Sequence, residues 1–382
     1  MSSFDLERAR SYFEFDEDVT FLNNASHSPL ALPVRKTFET FFDSWQKTAH
    51  NHDPESFRIF EEVRTKLAAY IGAASVRIGL SPHTTFGMNV LASGLHWEAG
   101  DNLVVSEREF PASVYPWLRL RNKGVEIRFA KTNDGIIDED ALIAATDKRT
   151  RLIHVSWVQF NNGNRVDLKK LGDYCSERDI LFSVDGIQGT GAVPINVPAF
   201  KIDMFTCGCQ KWMLGPCGTG FYYLSERVER AIEAPYSGWL SVDWQAEFGD
   251  LLRYDLKLRA GPAKYEIGTY AFQDWRALNA ALDILCSFNQ ENIWGHIRSL
   301  TDRLISYVQS ESKLTLVSPI DPPRRSGIVT FKSSNSRMLF DKLSAAGFVI
   351  SYREGGLRIS PHFYNGMDEI ERLIKVITGF IG

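Results

Sequence analysis

The chain has 382 residues, of which 44% are hydrophobic and 24% charged, and its formal net charge is −4 at pH 7. This length exceeds what one compact core usually holds, so we expect a large domain and a smaller one. The sequence has no basic block longer than a pair of residues, which argues against a nucleic-acid partner. It has no apolar run long enough to span a bilayer, which argues against a membrane anchor. The five cysteines are an odd number without zinc-ligand spacing, so we expect reduced thiols, no metal site and a cytoplasmic location.

Strand-like and helix-like segments alternate between residues 76 and 225. Predicted strands, which are short runs rich in β-branched and aromatic residues, cover 76–80, 103–106, 125–130, 152–158, 180–184, 203–206 and 218–224. Amphipathic stretches separate them, a pattern that indicates parallel strands joined by crossover helices. Several strands are apolar throughout, as expected when helices cover both faces of a sheet. The predicted fold class is therefore α/β, with a mostly parallel seven-stranded sheet.

The pattern changes in the last third of the chain. Residues 277–305 predict one or two long helices, followed by strands at 314–317, 328–332, 348–351 and 357–360 and a helix at 336–346. A closing helix has one apolar face, made of Ile370, Leu373, Ile374 and Ile377. This part of the chain predicts a small C-terminal α+β domain.

Polar side chains stand where predicted strands end, which is where open parallel sheets bind ligands. Thr84 and Thr85 begin a helix whose free N–H groups suit a phosphate, although, taken alone, this motif is better explained as a plain helix cap. Asp185 ends an apolar strand, and alone it could bind a ribose, a metal or a pyridinium nitrogen, or cap a turn. Lys211 precedes a glycine-rich turn and has apolar neighbours, so partial burial would lower its pKa.

Asp185 and Lys211 follow successive strands, so they can face one bound ring from two sides. An amine for C4′ and a carboxylate that keeps a pyridine nitrogen protonated are what pyridoxal 5′-phosphate (PLP) requires. We therefore predict PLP as the cofactor, held as a Schiff base on Lys211. A NAD-linked dinucleotide fold is disfavoured because no G-x-G-x-x-G turn follows the early strands.

Five motifs resemble those of class V aminotransferases. The resemblance is greatest to the motifs of the isopenicillin-N epimerase and selenocysteine lyase branch of that family. The five motifs lie at residues 21–25, 183–188, 210–220, 266–269 and 357–365, in the family's order. The resemblance implies a PLP enzyme of fold-type I that acts on a small amino acid as a homodimer with shared active sites. We further expect an N-terminal segment (1–20) packed on the small domain, a large PLP-binding domain (21–260), and linking helices with the small domain (261–382).

The resemblance implies roles residue by residue, with Lys211 and Asp185 as the catalytic pair. The other residues expected at the cofactor are Thr84, Thr85, Phe110, Gln188, Gln210, Gly268 and Thr269. Among these, the threonines hold the phosphate, Gln188 meets the ring O3′, and the Gly-Thr pair reaches over from the other subunit. The residues expected at the substrate are Arg358, Asn24, Ala25 and His27. The resemblance implies that Arg358 holds the substrate carboxylate. A guanidinium group suits this role because it can donate two parallel hydrogen bonds to the two carboxylate oxygens.

Three positions depart from the family's pattern, and one of them is an Asn expected after the strand at 152–158, where this chain has Phe160 between Gln159 and Asn161. Many relatives have His immediately before the lysine, where this chain has Gln210, and a stacking His where it has Phe110. Phe can stack on a ring but cannot shuttle protons, so proton transfer must fall to Lys211 or another group. His27 and His83 are the nearby candidates, and a structural role is at least as good an explanation for each.

Transamination at Cα is the leading prediction for the reaction. A C–S or C–C lyase and an amino-acid epimerase remain alternatives, because they differ only in where the next proton or leaving group goes. A non-catalytic PLP-fold sensor is the alternative from another class, and the intact Lys211, Asp185 and Arg358 argue against it.

Cysteine desulfurases of this family attack the substrate sulfur with a cysteine on a loop of the C-terminal domain. Here the last cysteine is Cys286, so the small domain has none. Cys217, on the turn after Lys211, is predicted to be a packed turn residue. We therefore predict that no protein persulfide forms.

Overall fold

The computed structural model describes residues 4–49, 57–244, 249–250 and 252–381. Its strands are, in chain order, β1 (Thr20–Phe21), β2 (Ile78–Ser81), β3 (Asn102–Ser106), β4 (Glu126–Ala130), β5 (Thr132–Asn133), β6 (Ile136–Ile137), β7 (Thr150–Ser156), β8 (Leu181–Asp185), β9 (Met204–Gly208), β10 (Gly220–Leu224), β11 (Leu314–Leu316), β12 (Val329–Ser333), β13 (Phe348–Val349), β14 (Ser351–Arg353) and β15 (Gly356–Ile359). The α-helices are α1 (Leu6–Arg10), α2 (Leu32–Thr48), α3 (Arg58–Tyr70), α4 (Thr84–Gly94), α5 (Tyr115–Leu118), α6 (Glu139–Ala144), α7 (Leu168–Glu177), α8 (Glu226–Ala231), α9 (Phe272–Cys286), α10 (Gln290–Ser310), α11 (Ser336–Ala345) and α12 (Met367–Ile381).

The large sheet has seven strands in the order β2-β10-β9-β8-β7-β3-β4. All its pairs are parallel except those of β10, which runs antiparallel to both β2 and β9. Alternate side chains enter different cores: Val104 and Phe182 lie in one, Leu103 and Leu181 in the other. Both faces are thus covered, which explains the uniformly apolar strands and confirms the predicted fold-type I α/β fold.

The small sheet is antiparallel, in the order β11-β12-β15-β14. One of its faces packs against α10 and α11, on which α12 packs in turn, and contributes Val329, Phe331, Leu357 and Ile359 to a separate hydrophobic core. Alternation along the strands puts polar and charged residues on the other face: Thr330, Lys332, Ser351, Arg353 and Arg358. This polar face turns toward the large sheet, because the Thr330 hydroxyl donates to the Asn161 carbonyl at 2.6 Å.

The start of the described chain is attached to its end. Thr20 of β1 pairs with Phe348 of β13, and Arg10 lies 2.8 Å from Asp368 of α12. The Phe13 and Tyr364 rings lie 4.2 Å apart between centroids. These contacts agree with an N-terminal segment on the small domain, and the domain boundaries themselves stay a prediction.

Within the described ranges, no helix is long and apolar enough to cross a membrane. The predicted cytoplasmic location stays a prediction. The five cysteines are free, and Cys217 and Cys286 are exposed. The predicted packing of Cys217 is therefore wrong. The Thr219 hydroxyl donates to the Pro216 carbonyl at 2.7 Å and closes a turn with Cys217 at its tip.

Candidate active site

Lys211 lies in the turn after β9, at the carboxyl edge of the large sheet. The turn is closed by the Leu214 N–H, which donates to the Lys211 carbonyl at 3.1 Å. The half-buried amine lies 5.9 Å from the centroid of the Phe110 ring. Desolvation lowers the pKa of Lys211 to about 8, although the Asp185 carboxylate opposes this shift. An appreciable fraction of the amine is therefore unprotonated near neutral pH, as a nucleophile or base requires.

Asp185 ends β8, and only 3% of it is exposed. Its Oδ2 accepts a hydrogen bond from the Ser113 hydroxyl and its Oδ1 from the Ile187 N–H, both at 2.9 Å. Burial raises the pKa of Asp185, while these two bonds and the charge of Lys211 lower it. The donors fix the plane of a carboxylate that a ring nitrogen can approach. Ser113 is a residue that sequence reasoning missed.

A second buried carboxyl group, Glu109, lies beside Asp185 and was also missed. Its Oε1 accepts from the Ser156 N–H at 2.9 Å, and its Oε2 is bonded to the Ser156 hydroxyl. Ser156 of β7 pairs in register with Asp185 of β8. Desolvation raises the pKa of Glu109 to about 7, with opposition from the Ser156 bonds and a further rise from the Asp185 charge. The available signal was its place just after β3, at the same sheet edge as Asp185 and Lys211.

The pocket beside α4 fits a phosphate. Thr84 Oγ1 and Gln210 Oε1 are buried atoms that lack a hydrogen-bond partner among the described residues. Both lie next to Gly208, where an added Cβ would be 3.0 Å from Thr84 Oγ1 and 2.5 Å from Gln210 Oε1. An unsatisfied buried polar group costs about 1–3 kcal/mol, so a polar ligand stabilises this pocket. Thr85 is the second residue of α4, and the first N–H groups of a helix lack intrahelical partners and suit a phosphate.

Gln188 is held by its neighbours on two sides. Its amide N–H donates to the Ala25 carbonyl at 2.9 Å, and its carbonyl accepts from the Trp212 indole at 2.9 Å. One amide N–H remains for a ring oxygen, as the predicted role requires. Asn24 donates to the Tyr364 hydroxyl at 2.7 Å, and its own carbonyl oxygen is buried without a partner among the described residues.

Arg358 is buried at the interface between the small sheet and the large domain, with 2% of it exposed. Its guanidinium donates to the Phe160 carbonyl at 2.6 Å and to the Ser26 hydroxyl at 2.7 Å. Burial lowers the pKa of Arg358 to about 10, with a smaller contribution from the charge of Arg353. Its Nε is buried without a partner among the described residues, so the cation has capacity left for an anionic ligand. His27, which directly follows the turn at residues 24–26, is exposed and edge-on to the Phe21 ring.

Gly268 and Thr269 do not join this cluster within one protomer. A Cβ added to Gly268 would meet nothing within 4 Å, and Thr269 is exposed. The segment is anchored by the neighbouring Glu266, whose carboxylate accepts from the Leu80 N–H at 2.9 Å and pairs with Arg64 at 2.8 Å. Their predicted contact with a partner subunit's phosphate stays a prediction. His83, at the start of α4, is likewise exposed and makes no cap bond.

The chain matches known proteins over nearly its whole length. The family model described as aminotransferase class-V matches residues 20–373. A probable cysteine desulfurase of Methanothermobacter thermautotrophicus is 28% identical over 96% of this chain and 95% of its own length. An isopenicillin N epimerase of Amycolatopsis lactamdurans is 26% identical over 97% of both chains. The solved complex of the cystine C–S lyase C-DES with cysteine persulfide has a TM-score of 0.85 and 19% identity, over 94% of this chain and 97% of that one.

Proposed function

Because this chain belongs to the class V aminotransferase family, whose members are PLP-dependent enzymes, we propose that it is a lyase that cleaves the Cβ–S bond of a cysteine-like amino acid. The names of its relatives, which include cysteine desulfurases and isopenicillin N epimerases, support a lyase or an epimerase better than transamination. Transamination, the leading prediction from the sequence, has the weaker support. When bound, PLP supplies an electron sink for the negative charge that forms at the substrate Cα.

The observation that carries the proposal is the pairing of Lys211 with Phe110. Burial leaves Lys211 with a pKa of about 8, so its amine can take the Cα proton near neutral pH. The aromatic ring opposite it cannot donate or accept a proton. An amine base that faces an aromatic ring suits β-elimination, in which the Cα proton is removed and the sulfur leaves with the Cβ–S electron pair. The leaving sulfur then takes up a proton, and the carbon fragment hydrolyses to pyruvate and ammonia.

Other residues of the site bind and orient the cofactor and the substrate. Asp185, fixed by the Ser113 hydroxyl, holds a proton on the ring nitrogen. Thr84 holds the phosphate through its buried hydroxyl, which otherwise lacks a partner among the described residues, and Gln210 beside it can donate only through its amide N–H. Arg358 receives the substrate carboxylate, since it is buried and charged and retains an unbonded Nε. Together they orient the substrate while Lys211 moves its proton.

The leaving sulfur is released directly in this proposal, without transfer to a protein thiol. The part of the chain that follows Cys286 contains no cysteine. Cys217 is exposed, so its accessibility alone does not prevent attack on sulfur. It lies at the tip of a tight turn, and the turn holds it in place. Cys217→Ser should therefore leave sulfur release unchanged, with Cys286→Ser as the matched exposed control.

Epimerisation at Cα is the second candidate, because the isopenicillin N epimerase of Amycolatopsis lactamdurans aligns over 97% of both chains. It would use the same Lys211 amine to remove and return the proton. The two reactions differ in products, since an epimerase breaks no bond at Cβ.

We also propose a homodimer that shares its phosphate sites through Gly268 and Thr269. Apolar side chains flank this pair: Ile267 is 43% exposed and the neighbouring Trp239 is 40% exposed. In the same stretch of chain Leu252 is 79% exposed. Exposed apolar surface of this kind is typical of subunit interfaces. Sedimentation of the active enzyme should give twice the chain mass, and a fully active monomer would contradict the dimer.

Incubation of the PLP-loaded enzyme with L-cysteine, L-cystine and L-alanine tests the reaction. Pyruvate and ammonia in equal amounts, with an equal amount of sulfide from L-cysteine or of cysteine persulfide from L-cystine, support the lyase. Cofactor left in its amine form, together with a keto acid, would establish transamination instead. Solvent deuterium entering Cα of recovered substrate, with no pyruvate, would establish the epimerase. A stable sulfur adduct on Cys217, with activity lost in Cys217→Ser, would overturn direct release.

A further inference from the structure

A cavity of about 280 Å³ adjoins the Arg358 site beneath the polar face of the small sheet. Asn161 lines it, and the preceding Phe160 carbonyl accepts from the Arg358 guanidinium. One short stretch of backbone therefore separates the cavity from the proposed carboxylate anchor. Three cationic side chains line the cavity, one from the loop after β3 and two from the small sheet: Arg108, Lys332 and Arg353.

The strand register places the anchor and two of these cations on one face. Thr330 of β12 lies directly opposite Arg358 of β15, and Lys332 is two residues further along β12. Arg353 of β14 lies opposite Gly356, two residues from Arg358. Side chains two residues apart share a face, and the rise along a strand separates their rows by roughly 7 Å. Gly356 has no side chain, and a Cβ added there would lie 2.9 Å from the methyl group of Thr330.

The cavity lining carries three cations and two acids, which leaves a net charge of +1. None of Arg108, Lys332 and Arg353 forms an ion pair or a side-chain hydrogen bond with a described residue. Two acids also line the cavity, Asp134 and Glu354, each at the tip of a hairpin with φ of 48° and 47° respectively. Neither acid pairs with the three cations, so an incoming anion competes with no existing bond.

We propose that this cationic cavity binds a carboxylate at the far end of the substrate side chain. The substrate class is then an S-substituted cysteine that carries a second carboxylate beyond the sulfur. Arg358 holds the α-carboxylate, while Lys332 and Arg353 receive the distal one about two residues along the sheet. The inference rests on the proposed function for the reacting end of the substrate and adds the recognition of its other end.

Calorimetric titration of the PLP-loaded enzyme tests this with ligands that carry no amino group and cannot react. Glutarate and adipate are compared with valerate and hexanoate, which have the same chain lengths and one carboxylate fewer. We expect each dicarboxylate to bind at least about tenfold more tightly, as one further charge-assisted contact predicts. Lys332→Gln and Arg353→Gln should bring this ratio close to one. Lys131→Gln is the control, because Lys131 is an exposed lysine that pairs with Glu107 outside the cavity.

Equal dissociation constants for the two ligand classes in the native enzyme would overturn the proposal. A preserved ratio in the Lys332→Gln and Arg353→Gln double variant, with a native near-ultraviolet circular dichroism spectrum, would do the same. If the double variant fails to fold, Arg108→Gln removes a positive charge of the cavity instead, and the same ratio of dissociation constants is measured. Failure of the proposed lyase reaction appears separately, as absence of pyruvate from L-cysteine, and does not alter the ratio of binding constants.

Discussion

Replacement of Glu109 by Gln tests the electrostatics of the buried site. Glutamine keeps the shape of the protonated acid and both contacts with Ser156, but it cannot ionise. In the native chain, burial raises the pKa of Glu109 from 4.5 to about 7. Because the folded-state pKa exceeds the unfolded one, this group favours folding below pH 4.5 and loses that contribution as the pH rises through about 7. At 1.36 kcal/mol for each unit, the loss amounts to about 3 kcal/mol.

Urea unfolding of the protein freed of PLP, followed by tryptophan fluorescence between pH 5 and 8, measures this loss. Removal of the cofactor avoids a separate pH-dependent binding contribution. The free energy of unfolding of the native chain should fall relative to Glu109→Gln by most of those 3 kcal/mol. Glu107→Gln is the matched control. Glu107 is exposed, and its hydrogen bond with Lys131 lowers its pKa to about 2, so it stays ionised throughout this range.

Two results would refute this reasoning. The first is a pair of parallel stability profiles for the native chain and Glu109→Gln across pH 5 to 8. The second is an infrared carbonyl band of a protonated carboxyl, absent in Glu109→Gln, that titrates near 4.5. Either result would mean that water or a bound cation reaches Glu109 and that burial beside Asp185 does not control its charge.

Three further predictions concern the residues around the cofactor. Borohydride reduction and peptide mapping should find the pyridoxyl group on Lys211, and label on another lysine would contradict that assignment. Asp185→Asn should keep PLP bound, judged by its absorbance, but lower kcat by roughly 10²-fold because a neutral pyridine is a poor electron sink; near-native turnover would exclude the role. Arg358→Gln should raise KM by roughly 10- to 100-fold with a smaller change in kcat, since it removes a charge-assisted contact, and an unchanged KM would count against the anchor.

The large sheet could be predicted because its signals are local. Buried strands that alternate with amphipathic helices show in composition alone, and Asp185 and Lys211 stand at strand ends where parallel sheets bind ligands. Residues whose partners are far away in the sequence could not be predicted in this way. Ser113 meets Asp185 from 72 positions away, and Glu109 meets Ser156 from 47. Such pairs depend on which strands become neighbours, and a strand's sequence does not determine its neighbour.

Side-chain direction was the other quantity that the sequence left undetermined. Cys217 lies between Pro216 and a glycine, which is equally compatible with a packed turn and an exposed tip. The hydrogen bond from Thr219 back to Pro216 determines the outcome, and it exposes the thiol. In the same way, Lys332 and Arg353 are ordinary surface cations in the sequence. The register of β12, β14 and β15 places them in one cavity.

The pairing of the two ends of the chain also bears on how the protein is made. Ser26, which accepts a hydrogen bond from Arg358, is synthesised 332 positions before it. At about 5–20 residues per second, a ribosome needs roughly 20 to 60 seconds to cover that stretch. Until then the strand at Thr20 has no partner, and the backbone around Ala25 that supports Gln188 is unanchored. Cofactor added to nascent chains should therefore bind only after release.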